Sequence, residues 1–154
     1  MIKMTRILYP TDFSELSLVA LNYAKSFASQ YDAEIHCIHV VDEAYQYWMM
    51  FGPDGGIVTP NTQPILDAIC RQMDNFIKTH LNGIPKVTTK ILTGKPFLEI
   101  IRYAKENQID MIVQSTHGRS GLKHVLLGSV AERVVRKSPC PVLTVRSGEH
   151  DFVL

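Results

Sequence analysis

Residues able to meet a phosphate or a nucleoside gather in two stretches of this chain. The longer, residues 114–136, reads QSTHGRSGLKHVLLGSVAERVVR and carries Gly118, Gly121 and Gly128 ahead of Ser129. It leaves an apolar, strand-like run, Met111-Ile112-Val113, and enters a helical pattern at Ser129. Glycine lets the backbone approach a ligand closely, and the first N–H groups of a helix point at an anion. His117 and Arg119 add positive charge for a polyphosphate. Ser129 and Glu132 fit an S-x-x-E capping box, so the Ser129 hydroxyl either caps the helix or meets a phosphate oxygen. The second stretch is Pro10-Thr11-Asp12, which follows another apolar run. Asp12 either caps the next helix, with Glu15 completing a capping-box variant, or accepts a hydrogen bond from a ribose hydroxyl or a base; Ser14 is a further candidate cap.

Other chemistries are excluded by spacing. Gly94-Lys95 is followed by Pro96, so there is no GxxxxGK[ST] loop, and no GxGxxG follows the first strand. Gly118-Arg119-Ser120-Gly121 would need glycine at 122 to make a nucleophile elbow, and Leu122 stands there. No HExxH or clustered acidic pair suggests a hydrolytic metal or a glycosidase. His36 and His39 are three apart in a strand-like run, which sends them to opposite faces and argues against a metal pair.

The elements that must hold these residues alternate along the chain. Strand patterns cover 5–10, 34–41, 87–92, 109–115 and 141–146. Between them lie helical patterns: Leu16, Ala20, Tyr23, Ala24 and Phe27 form the stripe of the first, which runs to about residue 30. A second opens at Thr62 and Pro64, buries Ile65, Ala68, Ile69, Met73, Phe76 and Ile77, and ends at Asn82-Gly83. A third follows Pro96 with Phe97, Ile100, Ile101 and Ala104 inward, and a fourth runs from Ser129 to the stop at Lys137-Ser138-Pro139. Such alternation implies right-handed crossovers and a doubly wound α/β fold: a five-stranded parallel sheet, order 3-2-1-4-5, with helices on both faces. Its switch point lies between strands 1 and 4, so Pro10-Thr11-Asp12 and the loop after Ser115 converge on one crevice. The connection 42–61, rich in aromatics that are followed by Gly52-Pro53-Asp54-Gly55-Gly56, reads as a lid, a partner surface, a partly helical excursion, or aromatics packed on the domain.

At 154 residues the chain is one domain, 1–154, able to bury roughly 70% of its unfolded surface. A formal net charge of +1 gives no reason to expect nucleic acid or anionic membrane as a partner. No apolar run approaches the roughly 20 residues of a membrane span, and no signal-peptide core is evident. Cys37, Cys70 and Cys140 form no CxxC and read as buried, reduced thiols of a cytoplasmic protein.

With these residues in hand, the chain resembles the universal stress protein (UspA) family over nearly its whole length. ILYPTDFSE, HVVDE at 39–43 and STHGRSGLKHVLLGSVAERVVRKSPCPVLTVR at 115–146 carry the likeness. The nucleotide-binding branch of that family has G-x2-G-x9-G-[ST]. Gly118 and Gly128-Ser129 match its second half, and Ser115 stands where the first glycine is expected. The resemblance implies adenine and ribose contacts at Pro10, Thr11, Asp12 and the Val40 backbone. It implies phosphate contacts at Ser115, Gly118, Gly128, Ser129 and Val130, to which the positive charge of His117 and Arg119, read from residue type, would add. ATP, ADP or AMP, with Mg2+ or Mn2+, would be the ligand. A homodimer pairing the run PVLTVR, Pro141 first and Arg146 last, and an unidentified protein partner are implied as well. Three readings stand side by side. One is a nucleotide-responsive stress protein without dedicated catalysis, one a slow ATP hydrolase or nucleotidyl transferase, and one an interaction module that binds no nucleotide.

Overall fold

The computed structural model describes residues 2–44, 63–116 and 127–146. Its order of elements is β1 (Arg6–Pro10), α1 (Glu15–Tyr31), β2 (Glu34–Asp42), α2 (Gln63–Phe76) with a π turn (Ile77–Leu81), β3 (Val87–Gly94), α3 (Pro96–Glu106), β4 (Met111–Ser115), α4 (Ser129–Lys137) and β5 (Val142–Val145). The strands form one five-stranded sheet in the order β3-β2-β1-β4-β5, and every pairing is parallel. The doubly wound order read from the sequence is therefore the order observed.

β1 is central, and Ile7, Leu8 and Tyr9 are wholly buried on alternate faces, as a strand covered on both sides requires. Ile7, Tyr9, Ile35, Cys37, Met111 and Val113 pack under α1 and α2. Leu8, Ile38 and Ile112 pack against α3 and α4 through Ile100, Tyr103, Ala104 and Val134. Each fully buried aliphatic side chain in these layers contributes about 1.5–3 kcal/mol.

The face that α1 buries differs from the one expected. Ser17, Ala20, Leu21, Ala24 and Ala28 are inward, while Tyr23 is 46% exposed. Alanines spaced four apart, Ala20, Ala24 and Ala28, let the helix sit close to the sheet, with Leu21 filling the core and Leu18, Val19 and Phe27 packing at its edge. In α2, Met73 and Phe76 are buried but Ala68 is exposed. Tyr103 joins the α3 stripe because its hydroxyl meets the His36 ring at 2.9 Å. Of the cysteines only Cys37 is buried; Cys70 is exposed, and all three are free thiols. The 42–61 connection falls outside the described residues beyond Ala44.

Candidate functional site

The site begins where β1 stops. β1 and β4 pair at Ile7↔Met111 and Leu8↔Ile112, and past these residues the two strands lead toward different helices. β1 leads through Thr11 and Asp12 into α1, and β4 leads through Ser115 and Thr116 toward α4. The two sequence-distant stretches thus leave the carboxyl ends of neighbouring strands, the usual ligand crevice of an open α/β sheet.

The β1–α1 turn is held by a closed set of hydrogen bonds. Ser14, not Asp12, is the N-cap of α1, accepting from Ser17 N at 3.3 Å. The Asp12–Glu15 capping box does not form. Asp12 Oδ1 instead accepts from the Ser14 N–H at 3.0 Å and the Ser14 hydroxyl at 2.6 Å. Ser17 gives its proton to the Ser14 carbonyl at 2.7 Å, which leaves the Thr11 hydroxyl to donate to Ser17 Oγ at 3.1 Å. Thr11 Oγ1 also accepts from Phe13 N at 3.0 Å. Thr11 is buried with its hydroxyl committed inside the protein, so it shapes this turn. Phe13 has φ 63, a left-handed conformation that a bulky residue rarely adopts. Its ring lies on His39 at 4.4 Å and edge-on to Phe76 at 5.6 Å, contacts that compensate the strain.

The β4–α4 side is pinned just as firmly. Gly128 N donates to the Thr116 carbonyl at 2.7 Å, closing the stem of the intervening loop. Gln114 is buried, and its Nε2 donates to the Ala131 carbonyl at 3.1 Å and lies 3.5 Å from Thr144 Oγ1, tying the first turn of α4 to the sheet. Gly128 is the N-cap of α4 and makes no side-chain cap; Ser129 is the first helical residue, and it and Val130 are exposed. The expected Ser129–Glu132 capping box is therefore absent. Glu132 N already bonds Gly128 O at 2.9 Å, and the Glu132 carboxylate pairs with Arg136 at 3.2 Å one turn on. What remains at this helix start is an N-terminus with no capping side chain among the described residues, suited to a phosphate.

This pairing of turns matches a known family. The model of the universal stress protein family aligns with residues 3–146. The chain belongs to the universal stress protein family. Universal stress protein MJ0531 of Methanocaldococcus jannaschii is 33% identical over 95% of this chain and 84% of its own length. The solved structure of MJ0577, from the same organism, superposes with a TM-score of 0.82 at 33% identity, covering 97% of this chain and 100% of that one. A universal stress protein solved in complex with cAMP shares the fold, with a TM-score of 0.66 at 24% identity over 96% of this chain and 100% of that one.

Set against the family expectation, Pro10, Thr11, Asp12, Val40, Ser115, Gly128, Ser129 and Val130 all lie on segments that end or begin at the carboxyl edge of β1, β2 and β4. His117, Gly118 and Arg119 fall outside the described residues. Reading motifs alone passed over His39, Phe13, Ser17, Gln114 and Thr116, which hold the two turns. Gln114 had a signal, a polar residue at the end of an apolar strand. Phe13 had none. Among the described residues no group of three His, Cys, Asp or Glu side chains gathers to hold a metal. No helix of the described residues is long and apolar enough to cross a membrane.

Proposed function

We propose that the chain binds an adenine nucleotide, ATP or a related adenylate, at the carboxyl ends of β1 and β4, and that binding alters a surface read by a protein partner. One observation carries this: a braced carboxylate, Asp12, follows β1, and the neighbouring strand β4 leads to α4, a helix start without a side-chain cap among the described residues, whose entrance is fixed by the Gly128–Thr116 bond. Asp12 takes a ribose hydroxyl, Pro10 and the Val40 main chain flank the base, and Thr11 keeps the turn in shape. Ser115, Gly128, Ser129 and Val130 take phosphates, joined by His117, Gly118 and Arg119 from the loop between Thr116 and Leu127. Mg2+ or Mn2+ neutralises the polyphosphate. A fold relative in complex with cAMP supports the choice of an adenylate, as a likeness of fold only. The Asp12 carboxylate of the crevice already accepts from the Ser14 N–H and hydroxyl, which favours a binder over a dedicated catalyst. The reading includes a cytoplasmic homodimer paired through β5, whose outer edge has no neighbouring strand among those described.

Isothermal titration with Mg-ATP tests it. Wild-type protein should bind saturably and melt at a higher temperature with ligand present, a stabilisation of about 2.7 kcal/mol at a hundredfold excess over Kd. Asp12→Ala should lose about 10- to 100-fold in affinity, the effect of deleting a hydrogen bond to a charged group. No heat and no melting shift at millimolar ATP, ADP or AMP would leave the interaction-module reading in place.

A further inference from the structure

We propose that His39 is a positioning residue of this site: its ring takes the Thr11 carbonyl, ends the β1–β2 ladder early, and leaves the Val40 main chain facing the crevice. The inference rests on the adenylate reading above and names what prepares its base edge.

In a parallel pair, alternate residues send both N–H and C=O to the same neighbour. Glu34 N bonds Thr5 O at 2.8 Å and Ile38 O receives Thr11 N at 2.8 Å, so even-numbered residues of β2 face β1. Ile35 N bonds Lys86 O at 3.0 Å, so odd-numbered residues face β3. Val40 is even-numbered, and its N–H and C=O point to the β1 side. The next rung of the ladder would join Val40 N–H to Thr11 O, and Phe13 N–H to Val40 O.

Both partners are diverted. The Thr11 carbonyl lies 2.8 Å from His39 Nδ1, and because a carbonyl only accepts, Nδ1 carries the proton. Phe13 N–H goes to Thr11 Oγ1 at 3.0 Å, inside the turn and away from β2. No bond from Val40 to either residue is formed among the described residues. His39 reaches the carbonyl from the α1–α2 face of the sheet, out of the plane in which ladder bonds run. Its ring is 8% exposed and held flat on Phe13 at 4.4 Å, with Phe76 behind. The ring, the carbonyl and the strained phenylalanine therefore form one device. Its product is an N–H beside a C=O at the end of β2, both without a ladder partner among the described residues, a donor–acceptor pair that fits a heteroaromatic edge bearing an adjacent acceptor and amino group, as adenine does.

Amide hydrogen exchange on the ligand-free wild-type protein tests the device directly. The Val40 amide should exchange at least about tenfold faster than that of Val41, whose N–H faces β3, and should become protected when ATP is added. In His39→Leu the Thr11 carbonyl returns to the ladder, so Val40 becomes as protected as Val41 and ATP affinity falls by about tenfold or more. His39→Asn puts an amide nitrogen where Nδ1 stood, so it should keep fast Val40 exchange and an affinity within about threefold of wild type. Melting temperatures separate these effects from general loosening, which would speed exchange along all of β2. Val40 protection equal to that of Val41 in the ligand-free wild type overturns the proposal. So does a His39→Leu protein with unchanged exchange and affinity. If His39→Leu does not fold, the wild-type exchange pattern and His39→Asn decide. If the wild type takes up no adenylate, the adenylate reading fails, and the exchange comparison still decides what His39 does to the ladder.

Discussion

At the scale of single residues, Gly128 separates stability from binding. Its φ of −65° and ψ of 153° suit any L-residue, so a side chain there adds no backbone strain. Asp is a better N-cap than Gly by a few tenths of a kcal/mol. Gly128→Asp is therefore expected to leave the unfolding midpoint unchanged or slightly raised. The same carboxylate would meet the phosphates of a bound nucleotide, and ATP affinity should drop about tenfold or more. Paired urea melts and calorimetric titrations check both halves; a variant that binds normally would remove this helix start from the site. The position also shows where sequence reading stops. Ser129-x-x-Glu132 has the spacing of a capping box, yet the helix begins one residue earlier than that box requires, with Gly128 as its N-cap. The decisive bond, Gly128 N to Thr116 O, joins residues on either side of a loop, and local spacing holds no record of it. Asp12 and Ser14 repeat the lesson: both are good caps by type, and which one serves depends on how Thr11 and Ser17 are arranged around them.

Among the elements, the order of strands was legible because strand and helix patterns alternate and right-handed crossovers admit few arrangements. Helix faces were less so. The inward line of α1 is built from alanines, Ser17 and a single large residue, Leu21, while Tyr23, which weighs more in a hydrophobic pattern than alanine, lies outside it. The π turn at Ile77–Leu81 left no pattern to read, since it continues the α2 stripe with only a local change of pitch. For the site, the element that matters most is α4, short and tied to β4 by Gln114. Gln114→Leu keeps the volume and deletes the tether. It should cost about 1 kcal/mol of stability, the net worth of a typical hydrogen bond, and loosen the first turn of α4. Faster amide exchange at 129–132, with ATP affinity lowered about fivefold, is the expected result. Unchanged exchange there would mean that the Gly128–Thr116 bond fixes the helix start unaided.

For the molecule as a whole, buried titratable groups on the two faces of the sheet set a window of maximal stability. His36 is buried between Tyr103 and Glu34, and burial, partly offset by the Glu34 carboxylate 3.5 Å away, holds its pKa below the ordinary 6.5. The unfolded chain therefore binds a proton at His36 before the folded one does, and stability falls as pH drops from 6.5 through the lower folded value. Asp110, which accepts from Thr5 N, Thr5 Oγ1 and Arg6 N, and Glu34, bonded by Thr88, both titrate below their ordinary carboxylate range. Their contributions are present above the unfolded values of 3.8 and 4.5 and are lost as pH falls further, adding a second acid step of the same sign. On the alkaline side the sign reverses. Burial pushes the Tyr9 phenol, which donates to Ser17 O, and the Cys37 thiol each up to about 12, from 10.0 and 9.0. The unfolded chain loses these protons first, so stability declines as pH rises above about 9. Urea midpoints measured from pH 4 to 11 should trace a plateau between about 6.5 and 9 with a slope on either side, each group contributing at most about 1.4 kcal/mol per pH unit. His36→Leu combined with Tyr103→Phe removes the ring and the hydroxyl that would otherwise lose its partner. That double variant should keep the alkaline limb and the lower acid step and flatten the step that begins near 6.5. A step that survives the double change would have to come from a histidine other than His36.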